Sequence, residues 1–319
     1  MADYYIAWWN LENLFDVENS TQREGYLKKA LASELKGWNA AVLDQKVNCL
    51  AAVIKSMNQG KGPDILGVCE VEDQPVLAKL AGALKTPGRT YKTVHHDCKD
   101  QRGIEVAFIY DAALFDVNPK EIFSYFVLRR TGTRDIVQVT FRSAVGKNLL
   151  VVMGNHWPSR TTGAYETEPY RIIAGETLGY WHTRIVEMTK DPNVPILVMG
   201  DFNDEPFSRA ITDYALCVRS SSELARAKVP RFVNLMWPLL GQGAGTYFFD
   251  GAFNMLDQFF VSKGLLNNKS AFSVKKDSLE IVRHGLDKPV PFGRPSKKGG
   301  INTKGASDHF PIAVVLREK

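Results

Sequence analysis

Six short apolar segments of this chain each adjoin a group built from Asn, Asp, Glu or His. The clearest one follows 195–199 (PILVM) and reads GDFNDEP, so that Asp201, Asn203, Asp204 and Glu205 lie close together. Carboxylates at such spacing repel one another, and a buried strand that ends on them needs a cation nearby. In α/β folds the strand ends converge at one sheet edge, where ligand sites form. The pattern predicts an α/β fold with a polar site at such an edge.

The other groups share this arrangement. In chain order they are NLEN with Asn10 and Glu12, CE with Glu70, NH with Asn155 and His156, LDQ with Asp257, and SDH with Asp308 and His309. A single acid after a strand is more often a turn residue or a helix cap than a ligand. Six such groups in one chain are hard to explain as turns. Together they indicate metal or phosphate chemistry.

Hydrophobic periodicity predicts alternating strands and helices. Helices are expected at 40–57, 75–84 and 168–189. Strands are expected at 4–9, 64–69, 104–110, 121–128, 135–142, 148–155, 195–199, 256–262 and 310–316, with Trp8 and Trp9 on opposite faces of the first one. The stretches 229–254 and 283–304 have weak periodicity and are predicted to be long surface loops. No repeat or linker divides the chain, so we expect a single domain over residues 1–319.

Composition excludes some classes of protein and leaves others open. The net charge of +5 and the pI of about 8.9 suit an anionic substrate, although they suit mere solubility equally well. No stretch is apolar enough to predict a transmembrane segment, and we expect a monomer. The N-terminus lacks the regions of a signal peptide, which favours the cytoplasm, although a secreted protein with its signal removed would look the same. The four cysteines form no CxxC pair and are predicted to be free thiols.

The ordered motifs NLEN, CE, NH, GDFN, LDQ and SDH resemble the endonuclease/exonuclease/phosphatase superfamily. That superfamily includes the pancreatic deoxyribonuclease type, the AP endonucleases, neutral sphingomyelinases and inositol polyphosphate 5-phosphatases. The resemblance runs from Asn10 to Pro311, essentially the whole chain. It implies a four-layer αββα sandwich, in which two packed mixed β-sheets are flanked by helices, and metal-dependent hydrolysis of phosphoesters.

The metal is expected to be Mg²⁺, with Mn²⁺ or Ca²⁺ possible, because carboxylate and amide oxygens suit hard cations better than zinc. Glu70 matches the metal-binding Glu of the superfamily. Asn10 and Glu12 are expected beside it, as ligands or through a water molecule. Asp308 is a second candidate ligand or a partner of the adjacent groups.

The GDFN motif implies the base of the reaction. Asp201 matches the residue that orients and deprotonates the attacking water, and Asn203 is expected to hold the phosphate or that water. The superfamily motif stops at GDFN. Asp204 and Glu205 are therefore predicted either to surround the site without touching the substrate or, as the preferred reading, to cap a helix that begins at Pro206.

Two histidines are expected to flank the phosphate. His309 resembles a phosphate-contacting histidine whose acidic partner Asp257 matches. His156 resembles the second histidine of the deoxyribonuclease type, and Glu105 fits its acidic partner there. A carboxylate fixes the tautomer of such a ring and supports its charge. From the residues alone, each would be read as a structural histidine.

Several polar residues beside these motifs could bind phosphate. They are Ser159, Arg160, Arg171 and Arg102, and a solvated surface position is the alternative for each. The run from His95 to Cys98 could resemble a zinc site. It lacks a second ligand cluster at the right spacing, which disfavours zinc.

Two features of the sequence bear on the identity of the substrate. The chain lacks the PAWCDR-like signature of inositol 5-phosphatases, and the predicted pairing of Glu105 with His156 favours the deoxyribonuclease type. The leading hypothesis is a metal-dependent phosphodiesterase acting on nucleic acid, most simply an endonuclease. The alternatives are a hydrolase of a small-molecule or lipid phosphoester, and a non-catalytic binding module on the same fold.

Overall fold

A computed structural model describes residues 1–98, 100, 102–267 and 269–319. The strands are β1 Ala2–Leu14, β2 Ile65–Val71, β3 Tyr91–His95, β4 Glu105–Asp111, β5 Phe115–Tyr125, β6 Ile136–Ser143, β7 Leu149–His156, β8 Ile196–Asp201, β9 Cys217–Val218, β10 Phe232–Asn234, β11 Tyr247–Phe249, β12 Ala252–Asn254, β13 Asp257–Val261, β14 Phe272–Val274, β15 Glu280–Ile281 and β16 Ile312–Glu318. The helices are α1 Gly25–Leu31, α2 Ala40–Gly60, α3 Gln74–Ala83, α4 Ala164–Thr189 and α5 Ser221–Ala225. A π-helical turn covers Ala210–Tyr214, and 3₁₀ turns cover Trp237–Leu239 and Lys263–Leu266.

These strands form two seven-stranded sheets and a separate hairpin of β11 and β12. The first sheet has the order β14-β16-β1-β2-β4-β3, with β15 also paired to β16. The second has the order β5-β6-β7-β8-β13-β10-β9. Parallel pairs (β1 with β2, β7 with β8) lie beside antiparallel ones such as β1 with β16, so both sheets are mixed, as predicted.

The two sheets pack face to face through an aromatic and aliphatic core. Alternation along β1 places Trp8 in this inner core, where it joins Phe108, Phe141 and Phe259. Trp9 belongs to a different core on the outer face of the first sheet. The prediction that the two tryptophans point to opposite faces is therefore confirmed.

Helices cover the outer faces of both sheets. Leu50 of α2 and Leu77 of α3 pack with Trp9 against the first sheet. Leu178 of α4 packs with Phe202 against the second. The order of layers is helices, sheet, sheet and helix, which confirms the predicted four-layer αββα sandwich.

Some boundaries differ from the predicted ones. Helix α4 begins before the predicted start at 168, because the backbone of Thr167 already donates to Gly163 O (3.2 Å). Strand β5 begins at Phe115 rather than at 121 and contains a register shift between Val117 and Ile122. The segment 229–254, predicted as a loop, contains β10 and the β11–β12 hairpin. The segment 283–304 contains no helix or longer strand among its residues, as predicted.

Two strands of the first sheet have irregular ends. The β1–β2 register shifts between Asn10 and Leu14, and the β2–β4 register shifts between Cys69 and Val71. Glu70 lies within the second shift and has a left-handed backbone (φ 63°). Left-handed conformations are uncommon outside glycine, and bulges of this kind redirect a side chain out of the regular alternation. Irregular strand ends thus set the direction of the polar groups there.

None of the helices in the described part of the chain combines the length and apolar character needed to cross a bilayer.

Candidate active site

A cavity of about 690 Å³ opens where the ends of β1, β2, β7 and β8 approach the start of β13. Both sheets contribute to its walls. The predicted site residues that line it are Asn10, Glu70, Arg102, His156, Ser159, Arg160, Asp201, Asn203, Asp308 and His309. Four others, Glu12, Glu105, Arg171 and Asp257, lie outside its lining. All six predicted motifs therefore supply residues to the cavity wall, LDQ through Leu256, while Asp257 of the same motif lies behind it.

Asp201 ends β8 in the centre of the cavity and is fully enclosed. Its neighbours across the strands are His156 on the parallel side and Asp257 on the antiparallel side. Asn10 Nδ2 donates to Asp201 Oδ2 (3.0 Å), and the backbone N–H of Asn203 donates to Oδ1 (2.9 Å). Burial raises the pKa of Asp201 to about 7, although the charge of His309 acts against this rise. A carboxyl group with such a pKa can accept a proton near neutral pH.

His309 is held by a buried carboxylate. Its Nδ1 lies 2.6 Å from Asp257 Oδ2, and Trp8 Nε1 donates to the other oxygen of Asp257 (3.0 Å). Burial alone would lower the pKa of His309, but the carboxylates of Asp257, Asp201 and Asp308 raise it well above its usual value. The ring is therefore positively charged at neutral pH. Its Nε2 lies 4.0 Å from Asp201 Oδ2.

His156 has different surroundings. Its Nε2 lies 3.8 Å from both Glu70 Oε1 and Asp201 Oδ2, while its buried Nδ1 has no hydrogen-bond partner among the described residues. Burial, followed by the charges of Arg134 and Arg102, lowers the pKa of His156 well below its usual value. The ring is therefore neutral.

The predicted pairing of His156 with Glu105 is not formed. Glu105 instead accepts a hydrogen bond from the thiol of Cys98. Burial raises the pKa of Glu105 to about 8, so its carboxyl group is largely uncharged at neutral pH. A neutral carboxyl group attracts an imidazole only weakly, and the hydrogen bond from Cys98 already satisfies the carboxyl group of Glu105.

Glu70 faces the cavity from its bulge. The backbone N–H of Asn13 donates to Glu70 Oε2 (2.8 Å) and fixes the carboxylate, while Oε1 points toward His156. Asn13 itself has a left-handed backbone (φ 59°), and Arg102 donates to its side chain. The irregular ends of β1 and β2 therefore contact each other and together position the carboxylate of Glu70.

Glu70 and Asp308 form a plausible pair of oxygen donors for a divalent cation. Burial raises the pKa of Asp308, and the charge of Glu70 raises it further, although His309 offsets part of the effect. A cation near these oxygens would relieve their repulsion, and an all-oxygen donor set fits Mg²⁺, Mn²⁺ or Ca²⁺. Asn10 lies at the same wall, with its Oδ1 accepting the backbone N–H of Glu12 (3.0 Å).

Contrary to the prediction, Glu12 does not join this donor set. In a regular strand Asn10 and Glu12 would share a face, but the left-handed backbone at Glu12 (φ 52°) breaks the alternation. Its carboxylate accepts the backbone N–H groups of Phe292 (2.7 Å) and Gly293 (3.1 Å) and lies 3.5 Å from Lys46 Nζ. Glu12 thus anchors the 292–293 loop to β1.

Two arginines and a serine line the outer part of the cavity. Arg160 donates from Nε to Asn203 O (2.6 Å), and its side chain keeps 26% exposure. Arg102 lines the opposite wall, while the exposed Ser159 shares a hydrogen bond with Thr161 (2.9 Å). Both guanidinium groups are placed where an anion could contact them.

Arg171 lies behind this wall and does not reach it. Its Nε donates to Asp204 Oδ2 (2.9 Å), and both residues are buried. Glu205 accepts the backbone N–H of Met255 (3.1 Å). The prediction that Asp204 and Glu205 cap a helix at Pro206 is therefore wrong, because both side chains bind distant parts of the chain instead.

Several residues in or beside the site were not predicted, among them Arg134, Tyr247 and Lys46. Arg134 lines the cavity with its side chain buried, and its Nε has no hydrogen-bond partner among the described residues. The Tyr247 ring lies 4.8 Å from the His309 ring. Lys46 is fully buried and donates to Ala306 O (2.8 Å) near Glu12. Tyr247 lies in the GTY stretch, so the sequence contained a signal for it. Lys46 lies in an amphipathic helix, and no local pattern indicates its role.

A second cavity, of about 770 Å³, lies at the opposite end of β1. Two of its four acids form ion pairs, Asp64 with Arg89 and Asp3 with Arg317 and Lys275 (2.7 and 2.9 Å), and a third, Glu280, accepts a hydrogen bond from Tyr5 Oη (2.6 Å). No cluster of unpaired acids or histidines appears in its described lining, which leaves the cavity at the strand ends as the candidate site.

The fold resembles several solved structures. A mannosyl-6-phosphatase from Bacteroides thetaiotaomicron VPI-5482 is 18% identical, with 98% of this chain and 99% of that chain covered and a TM-score of 0.59. The human Nocturnin catalytic domain with bound sulfate is 16% identical over 99% and 94% of the two chains, with a TM-score of 0.57. TDP2 from Caenorhabditis elegans is 15% identical over 99% and 74%, with a TM-score of 0.56. No curated protein matches the sequence significantly.

A family profile described as endonuclease/exonuclease/phosphatase matches residues 5–318. The chain belongs to this family. It is accordingly a phosphoester hydrolase, with buried carboxylates and histidines at the strand ends that could hold a metal ion.

Proposed function

We propose that the protein is a divalent-metal-dependent phosphodiesterase that cleaves nucleic acid internally. In this proposal residues 1–319 act as a single endonuclease/exonuclease/phosphatase domain and as a monomer. The observation that carries the choice of nucleic acid is an exposed aromatic ring that stacks on a tyrosine beside the histidine that would contact phosphate. Phe249 on β11 is 65% exposed and stacks with Tyr247 (6.3 Å between centroids, 12° between planes).

This pair of rings suits a nucleotide. Tyr247 packs beside His309, so a phosphate held at His309 would bring its attached base within reach of Phe249. Bases stack on exposed aromatic rings with little dependence on sequence, and arginines nearby attract the phosphate backbone. Arg102 and Arg160 provide that charge at the cavity rim.

Asp201 has the position and the pKa expected of the general base. Its two oxygens are oriented by Asn10 and Asn203, and its pKa near 7 lets it take a proton from an attacking water at neutral pH. The charged His309 can donate from Nε2 to the phosphoryl oxygens, where negative charge increases in the transition state. The neutral His156 contacts the other side of Asp201 and can hydrogen-bond the phosphate or the water.

Glu70 and Asp308 would hold the divalent cation, with Asn10 beside them. Such a cation, when bound, stabilises charge on the phosphoryl oxygens. The buried Nε of Arg134, which has no hydrogen-bond partner in the described part of the chain, can donate to an oxygen that enters the cavity.

A second candidate function is hydrolysis of a small phosphomonoester. It is favoured by the likeness to the mannosyl-6-phosphatase, which covers nearly all of both chains. The cavity volume of about 690 Å³ could enclose a sugar phosphate.

A substrate panel separates the two candidates. The purified protein is assayed with Mg²⁺, with Mn²⁺ and with EDTA on circular plasmid, linear and single-stranded nucleic acid, and on mannose 6-phosphate. We expect metal-dependent nicking of plasmid, which requires internal cleavage. Hydrolysis of the sugar phosphate alone would support the second candidate instead, and no hydrolysis of any of these substrates would contradict both.

Replacing the base tests the mechanism. Asp201→Asn should reduce hydrolysis by about 10²–10⁴-fold, the usual contribution of general base catalysis. Asp116→Asn removes an exposed carboxylate from β5 and should leave the rate unchanged. Equal rates for both variants would rule out Asp201 as the base.

A further inference from the structure

Cys69 lies directly before Glu70 on β2, and its side chain points into the core between the two sheets. There its sulfur is grouped with His156 and Asp201: one ligand atom from each residue lies within 4.8 Å of the others. All three residues are buried. The proposed mechanism uses His156 and Asp201 but gives no role to the thiol.

The donor set differs from the one that suits Mg²⁺. Thiolate and imidazole ligands favour zinc and similar soft divalent ions, which prefer four tetrahedral ligands. In such a site the ligand atoms are separated by about 3.5 Å, given metal–ligand bonds of roughly 2.0–2.3 Å. His156 Nε2 and Asp201 Oδ2 lie 3.8 Å apart, close to that spacing.

Two further features favour an ion at this place. Glu70 Oε1 also lies 3.8 Å from His156 Nε2, so its negative charge would attract a cation bound to this ring. His156 Nδ1 is buried without a hydrogen-bond partner among the described residues, so the ring is not held by a competing carboxylate. Glu105, the acid that was predicted to hold this ring, binds Cys98 instead.

We propose that Cys69, His156 and Asp201 form a site for Zn²⁺ or another soft divalent cation, distinct in its ligands from the oxygen site of Glu70 and Asp308. Binding replaces the thiol proton, which leaves to solvent, and involves no change of oxidation state. An ion held there engages both His156 and Asp201. It therefore inhibits phosphoester hydrolysis, a consequence that depends on the proposed function, whereas the binding itself does not.

Metal binding is tested without any activity assay. Cd²⁺ is titrated into the full-length protein, and the ultraviolet charge-transfer band of a cadmium thiolate is recorded, with Zn²⁺ binding measured by calorimetry. We expect one equivalent to bind with a thiolate band in the wild type. The band should be lost in Cys69→Ser and persist in Cys217→Ser, which removes another buried free thiol from β9.

Two checks keep the outcome interpretable. Melting curves without metal show whether Cys69→Ser is folded, and His156→Gln, which retains the thiol, should weaken Zn²⁺ binding at least tenfold. A wild-type protein without a thiolate band, or a band that survives in Cys69→Ser, would overturn the site. Unchanged Zn²⁺ affinity in His156→Gln would do so as well.

Inhibition is measured separately on the most active substrate of the panel at fixed Mg²⁺. Zn²⁺ should inhibit the wild type, and Cys69→Ser should need at least tenfold more Zn²⁺ for the same fractional loss of its own rate in Mg²⁺. Equal sensitivity of the two proteins would overturn the inhibitory role. A protein that binds one Cd²⁺ through Cys69 but hydrolyses nothing would instead contradict the proposed function and leave the metal site supported.

Discussion

The two histidines of the cavity lie on either side of Asp201, at 3.8 and 4.0 Å from the same oxygen, yet their environments are opposite. His309 has a buried carboxylate behind its ring, and the pKa of His309 rises. Burial and two nearby arginines lower the pKa of His156, and no carboxylate among the described residues bonds to its Nδ1. The carboxylate of Asp257, which has no counterpart among the described residues at His156, is therefore a main source of the difference in charge between the two rings.

This contrast assigns different chemistry to the two sides of the site. A charged imidazole donates from both nitrogens and attracts a phosphate. A neutral imidazole can accept as well as donate and can also bind a metal ion. The two rings are therefore not interchangeable, although both stand next to Asp201.

The largest expected effect comes from removing the charged ring. His309→Ala should reduce hydrolysis by about 10²–10⁴-fold, because the donor to the phosphoryl oxygens is lost. His284→Ala, at an exposed histidine bonded to Ser56, is the matched control and should have no effect. Both variants are compared with the wild type by steady-state rates on the best substrate. A His309→Ala rate near that of the wild type would contradict the role of His309 as a donor to the phosphate.

A smaller effect is expected from the acids that were predicted to support each ring. Asp257→Asn should slow hydrolysis by about 10–10²-fold, because His309 loses the charge that keeps it protonated. Glu105→Gln should change the rate by no more than a few-fold, since Glu105 contacts Cys98 and not His156. Equal losses in the two variants would show that Glu105 does reach His156 when substrate or metal is bound.

The smallest expected effect concerns the protonation states of His309 and His156. NMR of the imidazole nitrogens can follow both between about pH 5 and pH 9. His309 has a raised pKa in the folded protein, so its ion pair stabilises the fold fully below the unfolded value of about 6.5 and loses that effect as pH rises through the folded pKa. His156 has a lowered pKa, so the fold loses stability as pH falls below about 6.5. A charged His156 and a neutral His309 at pH 7 would reverse the assignment.

The sequence predicted the layers well because they depend on short-range periodicity. The helices at 40–57 and 75–84 agree closely with α2 and α3, and the strands near GDFN and SDH agree with β8 and β16. The apolar patterns are regular there, and Asn39 and Asp73 cap the two helices. Helix α1 was missed because it has only two turns and two buried leucines.

The site was harder to predict in its details. Motif order correctly indicated which residues meet at the strand ends, but it could not show where each side chain points. Glu12 and Glu70 both have left-handed backbones, yet one lies outside the cavity and the other in its wall. Such differences depend on bulges and on distant partners such as Phe292, and no local pattern encodes them.

The pairing of β1 with β16 has a consequence for how the molecule forms. Residue 2 pairs with residue 318, and the backbone carbonyl of His309 accepts from Trp9 Nε1 (2.8 Å). During synthesis β1 cannot pair with its neighbour β16 until the residues of β16 have been translated. Contacts over such a separation in sequence close slowly. The cavity therefore cannot be completed before β16 has been translated, and the first sheet remains open at β1 until then.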